Sequence, residues 1–261
     1  MYIFETLANR LKRGCMTIAF PHGTAPALPD RHGGALRLDS TRCAPDCALC
    51  VEVCPNQAIT KDNGQLRLDL GRCLFCGDCV TVCPHGAIQH TNDHRLATRR
   101  REDLVLTPDH QELRLAEALD KKMLRLFGRS LRLRQVCAGG CNACEADINV
   151  LGTIGWDLGR FGIQYVASPR HADGVLITGP VTKGMELALQ KTWAAVPEPR
   201  IAIALGSCAI SGGPFVGHPQ HNGGADPIIP IDLYIPGCPP HPLSILDGFL
   251  RLLDRLPKHN L

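Results

Sequence analysis

Fourteen cysteines in 261 residues are the groups with the most chemistry to offer. Eight fall in two runs. In Cys73-x2-Cys76-x2-Cys79-x3-Cys83-Pro84, three closely spaced thiolates can wrap one face of a [4Fe–4S] cube. The fourth, across a short helix, points at another cluster. The earlier run, Cys43-x3-Cys47-x2-Cys50-x3-Cys54-Pro55, has one extra residue between its first two cysteines. Its last three cysteines stay in register with the later run, so only Cys43 is displaced. The loop around Pro45-Asp46 must absorb the difference. A second cubane is expected there, with a [3Fe–4S] cluster as the competing reading. Zinc or a disulfide is the alternative for the Cys73 run. Five more cysteines, Cys137, Cys141, Cys144, Cys208 and Cys238, spread over about a hundred residues. That is too wide for a local loop and suits a cluster held where several strand ends converge.

Many cysteines occur either in an oxidising compartment, as disulfides, or in a reducing one, with metal. The N-terminus has no apolar stretch with a small-residue cleavage site, and no run of about 18 apolar residues appears. Metal-bound thiolates in a reducing compartment are therefore expected. A formal net charge of +3 gives no dense basic face, so no nucleic-acid partner is expected. A hydrophobic fraction of 44% is enough for a core.

The elements that must position the thiols are partly legible. Leu36-Arg37-Leu38-Asp39 recurs thirty residues later as Leu66-Arg67-Leu68-Asp69. Each copy runs into a cysteine loop, a Cys-Pro pair and an apolar exit, Ala58-Ile59 or Ala87-Ile88. Each unit therefore reads as strand, cysteine loop, short helix and strand, and two units must pack together to bury a core. Residues 98–130 hold no cysteine and read as a charged connector. Arg99-Arg100-Arg101 is expected on a solvated face, followed by a helix from Leu113 to Phe127 that stops at Gly128. Beyond it, strands are expected at Gly162–Ser168, Gly174–Thr178, Arg200–Leu205 and Ile231–Ile235. Helices are expected at Lys183–Ala195 and Pro242–Leu256. The alternation predicts a parallel sheet with functional groups at its C-terminal strand ends. The stretch Met1 to Lys12 reads as an amphipathic helix for a partner or a membrane surface.

Residues 33–92 resemble the bacterial two-cluster ferredoxins, and more narrowly the ferredoxin-type subunits of complex I and its hydrogenase relatives. The resemblance implies crossed ligand sets: Cys43, Cys47, Cys50 and Cys83 on one cluster, Cys73, Cys76, Cys79 and Cys54 on the other. Residues 131–255 resemble the small-subunit domain of [NiFe] hydrogenases, shared with the twenty-kilodalton-type subunit of complex I. The supporting stretches are Cys141-Asn142-Ala143-Cys144-Glu145, Phe161-Gly162-Ile163, Ser168-Pro169-Arg170-His171-Ala172-Asp173, Thr178-Gly179-Pro180-Val181-Thr182, Gly206-Ser207-Cys208 and Ile235-Pro236-Gly237-Cys238-Pro239-Pro240. Within that superfamily the likeness is to the group 4, formate hydrogenlyase type. Complex I counterparts carry two adjacent cysteines at the first ligand site, whereas Cys141-x2-Cys144 is the hydrogenase form.

The resemblance implies an α+β ferredoxin-like two-cluster domain followed by an α/β flavodoxin-like domain with a parallel sheet. The boundaries are an amphipathic segment at 1–30, the two-cluster domain at 31–97, the connector at 98–130 and the small-subunit domain at 131–261. Three [4Fe–4S] clusters are implied, the last held by Cys141, Cys144, Cys208 and Cys238. Glu145 is a candidate proton relay, against a plain interface contact. Arg170 and His171 are candidates to tune the third cluster, against an interface salt bridge. Cys15 and Cys137 are left without a role, and His218 and His221 read as solvent-exposed. The implied protein is a non-catalytic electron-transfer subunit of an oxidoreductase. Its partners would be a [NiFe] large subunit, other peripheral and membrane subunits, and an external electron donor or acceptor. Its place would be cytoplasmic, peripheral on the inner membrane. A quinone-reducing complex I-type module is the alternative.

Overall fold

The computed structural model describes residues 2–29, 32–62 and 64–257. An N-terminal helix, α1 (Tyr2–Arg13), stands almost entirely exposed. The segment behind it, residues 17–20, is tied to the far half of the chain. Ile18 N–H donates to the Gly155 carbonyl at 2.9 Å, and the Arg160 guanidinium donates to the Ile18 and Phe20 carbonyls.

The repeat folds as two interlocked units. The first is β1 (Leu36–Leu38), α2 (Leu49–Val53) and β2 (Ile59–Asp62). The second is β3 (Gln65–Asp69), α3 (Asp78–Val82) and β4 (Ile88–His90). Neither unit pairs its own strands: β1 runs antiparallel to β4, and β2 to β3. Each half-sheet thus needs both copies, because a thirty-residue unit exposes too much apolar surface alone. Alternation puts Leu36, Leu38, Leu66 and Leu68 inside and the intervening arginines outside.

The connector is more structured than its composition suggests. β5 (Val105–Leu106) adds to the edge of β3. Arg101 does not face solvent: it grips Asp69 through two hydrogen bonds of 2.8 and 2.6 Å. Arg100 remains exposed. The expected helix from Leu113 starts late, as α4 (Lys121–Phe127), ending at Gly128. The preceding residues are held extended by backbone bonds from Ala116 to Ala97 and from Leu119 to Leu252. Asp120 caps the real start by accepting from Lys122 and Met123 N–H.

The remaining chain forms a five-stranded, wholly parallel sheet of β6 (Leu131–Cys137), β7 (Ile163–Tyr165), β8 (Gly174–Thr178), β9 (Ile201–Leu205) and β10 (Leu233–Ile235). Between them lie α5 (Ala143–Val150), α6 (Lys183–Ala195), α7 (Gly206–Ser211) and α8 (Pro242–Leu252). The strand order β10-β9-β8-β6-β7 is the flavodoxin-like doubly wound order. Four of the five strands fall where the sequence predicts them, and α6 matches its expected limits. The inner strand β6 escapes prediction because Leu131-Arg132-Leu133-Arg134 alternates. Its leucines enter the core while Arg132 is left exposed. One sheet face packs Leu131, Leu176 and Ile203 against α8. The other, with Val136, Val175 and Ile177, belongs to the same continuous core as Leu38, Leu66 and Leu104 of the repeat half. Among the described residues no helix is long and apolar enough to cross a membrane.

Candidate metal centres

Asp39 and Asp69 close the two Leu-Arg-Leu-Asp copies and turn the chain into its cysteine loops. Asp39 accepts from Thr41 N–H at 3.1 Å and its hydroxyl at 2.6 Å, and Asp69 accepts from Gly71 N–H at 2.9 Å. The short helices that follow bury Cys50 and Cys79. Cys54 and Cys83 cap those helices in extended conformation, which sends each thiol across to the other unit's loop.

The result is two separate thiol sets. Cys43, Cys47, Cys50 and Cys83 line one cavity of about 290 Å³ with Leu66 and Ile88. Cys54, Cys73, Cys76 and Cys79 line another of about 370 Å³ with Leu36, Ile59 and Leu68. Backbone N–H groups point at the sulfurs: Ala58 to Cys54 at 3.2 Å, Phe75 to Cys73 at 3.3 Å and Ala87 to Cys83 at 3.2 Å. Burial pushes the Cys73 thiol up to about 12 and Cys79 up to about 11, with the neighbouring thiols of the same set adding to the shift. Burial also acts on Cys83, but there the N–H donors from Ala87 and its neighbours outweigh it and lower the value.

The third set gathers at the C-terminal edge of the parallel sheet, beside the switch point between β6 and β8. Cys141 and Cys144 follow β6, Cys208 sits in α7 after β9, and Cys238 follows β10. Burial raises the Cys144 thiol, and Glu145, Cys208, Cys238 and Cys141 raise it further. Burial takes Cys208 up to about 11, with Cys238 and Cys141 contributing. Cys141 and Cys238 are exposed, so this set opens at the surface. Gly206 is essential to its shape. Its φ is +86°, and a Cβ there would lie 2.7 Å from the Cys144 sulfur.

None of the fourteen cysteines is joined to another by a disulfide in this structure. Among the described residues, no three His, Cys, Asp or Glu side chains converge on a point where one metal ion would sit. Four thiols around an apolar cavity with inward N–H donors fit a [4Fe–4S] cube rather than a single zinc ion.

Other expected residues fall as follows. Glu145 is buried at 7% exposure and accepts the Thr178 hydroxyl at 2.5 Å. Burial pushes its carboxyl up, but hydrogen bonds from the Cys137 thiol and Thr178 more than offset this and hold it below its ordinary range. Cys137 thereby acquires the partner that sequence reasoning did not find. Arg170 and His171 are exposed on the turn Pro169–His171. His218 is exposed, whereas His221 is half-buried and accepts from Gly223 N–H. The contact that sequence missed altogether joins the halves. The Ser207 hydroxyl lies 2.5 Å from the Cys73 carbonyl and 3.1 Å from that of Gly237. A cleft of about 720 Å³ lies alongside, with Leu74 and Phe75 on one wall and Cys238 and His241 on the other.

Comparison with known proteins finds two families along the chain. Residues 41–87 match the 4Fe-4S dicluster domain, and residues 141–252 match the NADH ubiquinone oxidoreductase, 20 Kd subunit. Over 153 residues the chain is 38% identical to the probable membrane-bound hydrogenase subunit mbhJ of Pyrococcus furiosus, covering 59% of this chain and 91% of that protein. It is 42% identical over 139 residues to formate hydrogenlyase subunit 7 of Escherichia coli, covering 53% of this chain and 54% of that one. It is 40% identical over 122 residues to a subunit of the NADH-quinone oxidoreductase of Desulfovibrio desulfuricans, covering 47% of this chain and 66% of that one. The chain therefore carries [4Fe–4S] clusters and belongs to the NADH ubiquinone oxidoreductase 20 Kd subunit family, with a dicluster domain ahead of the family's own α/β unit.

Proposed function

We propose that this iron–sulfur oxidoreductase subunit relays electrons in a membrane-associated [NiFe] hydrogenase complex of the formate hydrogenlyase type. Three clusters are assigned: one to Cys43, Cys47, Cys50 and Cys83, one to Cys54, Cys73, Cys76 and Cys79, and one to Cys141, Cys144, Cys208 and Cys238. Such clusters carry one electron at a time. We divide the chain accordingly, into a two-cluster domain at 31–97, a connector at 98–130 and a small-subunit domain at 131–261.

The observation that carries the reading is the convergence of three four-thiol sets, of which the Cys73 set reaches the surface at Cys76 alone and the third is open through both Cys141 and Cys238. An open set suits a partner subunit that holds the nickel–iron site and covers it. The Ser207–Cys73 contact and the shared cleft support an order in which the Cys73 set stands between the Cys43 set and the third. The Cys43 set then meets the external donor or acceptor subunit. Glu145, kept below its ordinary value beside Cys144, suits a proton-handling or interface role. Arg170 and His171, being exposed, suit the partner contact.

The proposed location is the cytoplasmic face of the inner membrane, with α1 lying on the lipid surface. Ile3, Phe4, Leu7 and Leu11 fall on one side of α1 and stand exposed, Leu11 at 84%. Arg10, Lys12 and Arg13 flank that stripe.

The deciding experiment is purification of the native complex with assays for iron, acid-labile sulfide, nickel and hydrogen turnover. About twelve irons and twelve sulfides per chain are expected, with nickel in the partner. A nickel-free complex that reduces quinone would favour the complex I-like alternative. Stoichiometric zinc without sulfide would defeat the cluster reading.

A further inference from the structure

The two cysteine loops differ by one residue, and the structure shows what accommodates it. In the longer loop, Cys43-x3-Cys47, three carbonyls turn towards one side chain. The Lys61 ammonium donates to the Ala44 carbonyl at 3.1 Å, to Pro45 at 2.5 Å and to Cys47 at 2.8 Å. A lysine has three N–H donors and no acceptor, so the three carbonyls exhaust its capacity. Lys61 lies on β2, paired with Leu66 of β3, and is half-buried over the loop. Without it, the partly buried Cys47 carbonyl would lose the Lys61 donor and the Ala44 carbonyl would keep only its bonds within the loop, from Cys47 N–H at 3.2 Å and the Cys43 thiol at 3.7 Å.

The second unit is an internal control. Ala58-Ile59 and Ala87-Ile88 align the units, which puts His90 where the first unit has Lys61. The second loop, Cys73-x2-Cys76, lacks the extra residue, and no carbonyl of it is bound by His90 among the described residues. His90 instead lies against Gly77, where a Cβ would come within 3.2 Å of its ring. The clamp is thus found only on the loop with the insertion.

We propose that Lys61 is a positioning residue for the cluster of Cys43, Cys47, Cys50 and Cys83. It pins the longer loop so that Cys43 and Cys47 keep the geometry a cubane needs, and it sets a fixed positive charge beside that cluster alone. This rests on the assignment of a cluster to that set.

The test uses the full chain in its native complex, with Lys61→Met and Lys61→Arg variants. Iron release to a ferrous chelator and the potential of each EPR signal are followed. Lys61→Met should release about a third of the iron roughly 10–100-fold faster than the unaltered protein. The potential of the corresponding signal should fall while the others hold. Lys61→Arg, which keeps the charge and several donors, should recover most of the retention. Wild-type release and unchanged potentials in Lys61→Met would overturn the proposal, as would loss from all sets alike. Cys50→Ser is measured in parallel. If it changes neither iron content nor any signal, the cluster assignment itself has failed, and the proposal falls with it.

Discussion

Individual side chains in this protein act through where burial puts them. Most of the assigned thiols lie in loops or at helix ends, and their sulfurs are held by N–H donors or apolar walls rather than by each other. Replacing one should therefore act locally. Cys208→Ser is expected to bleach or convert the third cluster while both dicluster signals persist in EPR; simultaneous loss of all three would contradict the division into halves. A second residue-scale prediction concerns His94. Burial lowers it to about 4, and its ring packs edge-on against Phe20 at 5.8 Å. Its folded value lies below the unfolded value of about 6.5, so between these the unfolded chain binds more protons. Its contribution to stability is complete above about pH 6.5 and is lost as pH falls towards 4. Melting of the loaded protein at about pH 7 and about pH 5.5 should show this drop, and His94→Gln should reduce it.

At the scale of elements, tight turns deliver thiols and one free helix addresses the surroundings. The β9–α7 turn works only with a residue that tolerates positive φ and brings nothing near Cys144. Gly206→Ala should thus cost about a third of the iron, read by iron and sulfide analysis, with the dicluster signals intact. Helix α1 makes the opposite kind of prediction, because its apolar side stands exposed. The loaded protein should sediment with vesicles of anionic lipid, and Leu7→Asp with Leu11→Asp should leave it in the supernatant. Sedimentation unchanged by that pair would remove α1 as the lipid contact. The late start of α4 belongs here too. Leu115, Ala118 and Met123 have helical spacing, yet backbone bonds to Ala97 and Leu252 hold the chain extended up to Asp120.

Over the whole molecule, the two halves share one core and are pinned by polar contacts at their seam. Arg101 reaches Asp69 with only 26% and 18% of the two side chains exposed, and Ser207 meets Cys73. Removing the ion pair leaves a half-buried carboxylate whose other donor is Gly71 N–H. Arg101→Leu is expected to destabilise the loaded protein by about 1.5–3 kcal/mol, seen as a lower unfolding midpoint. If the midpoint does not move, the seam holds by apolar packing alone.

Cysteine spacing by itself pointed to two cysteine runs suited to iron–sulfur binding, since the first three thiols of each run lie only a few residues apart; the crossing of Cys54 and Cys83 to the other unit's thiols comes from how the two units pack. The repeat likewise foretold two interlocking units, because alternating leucines demand a second layer. The hydrophobic strands β8, β9 and β10 were readable from their near-continuous apolar runs; β6 was hidden by arginines that sit on a partly uncovered stretch of sheet. Beyond the reach of spacing were contacts between residues far apart in sequence. Four thiols spanning Cys141 to Cys238 meet only because a parallel sheet in the order β10-β9-β8-β6-β7 gathers its strand ends at one edge. Ser207 finds Cys73 across 134 residues, while Cys137 meets Glu145 and Lys61 meets three carbonyls through the packing of nearer segments. Such pairs are decided by how strands and loops pack in three dimensions, and no local pattern in the chain encodes which of them will touch.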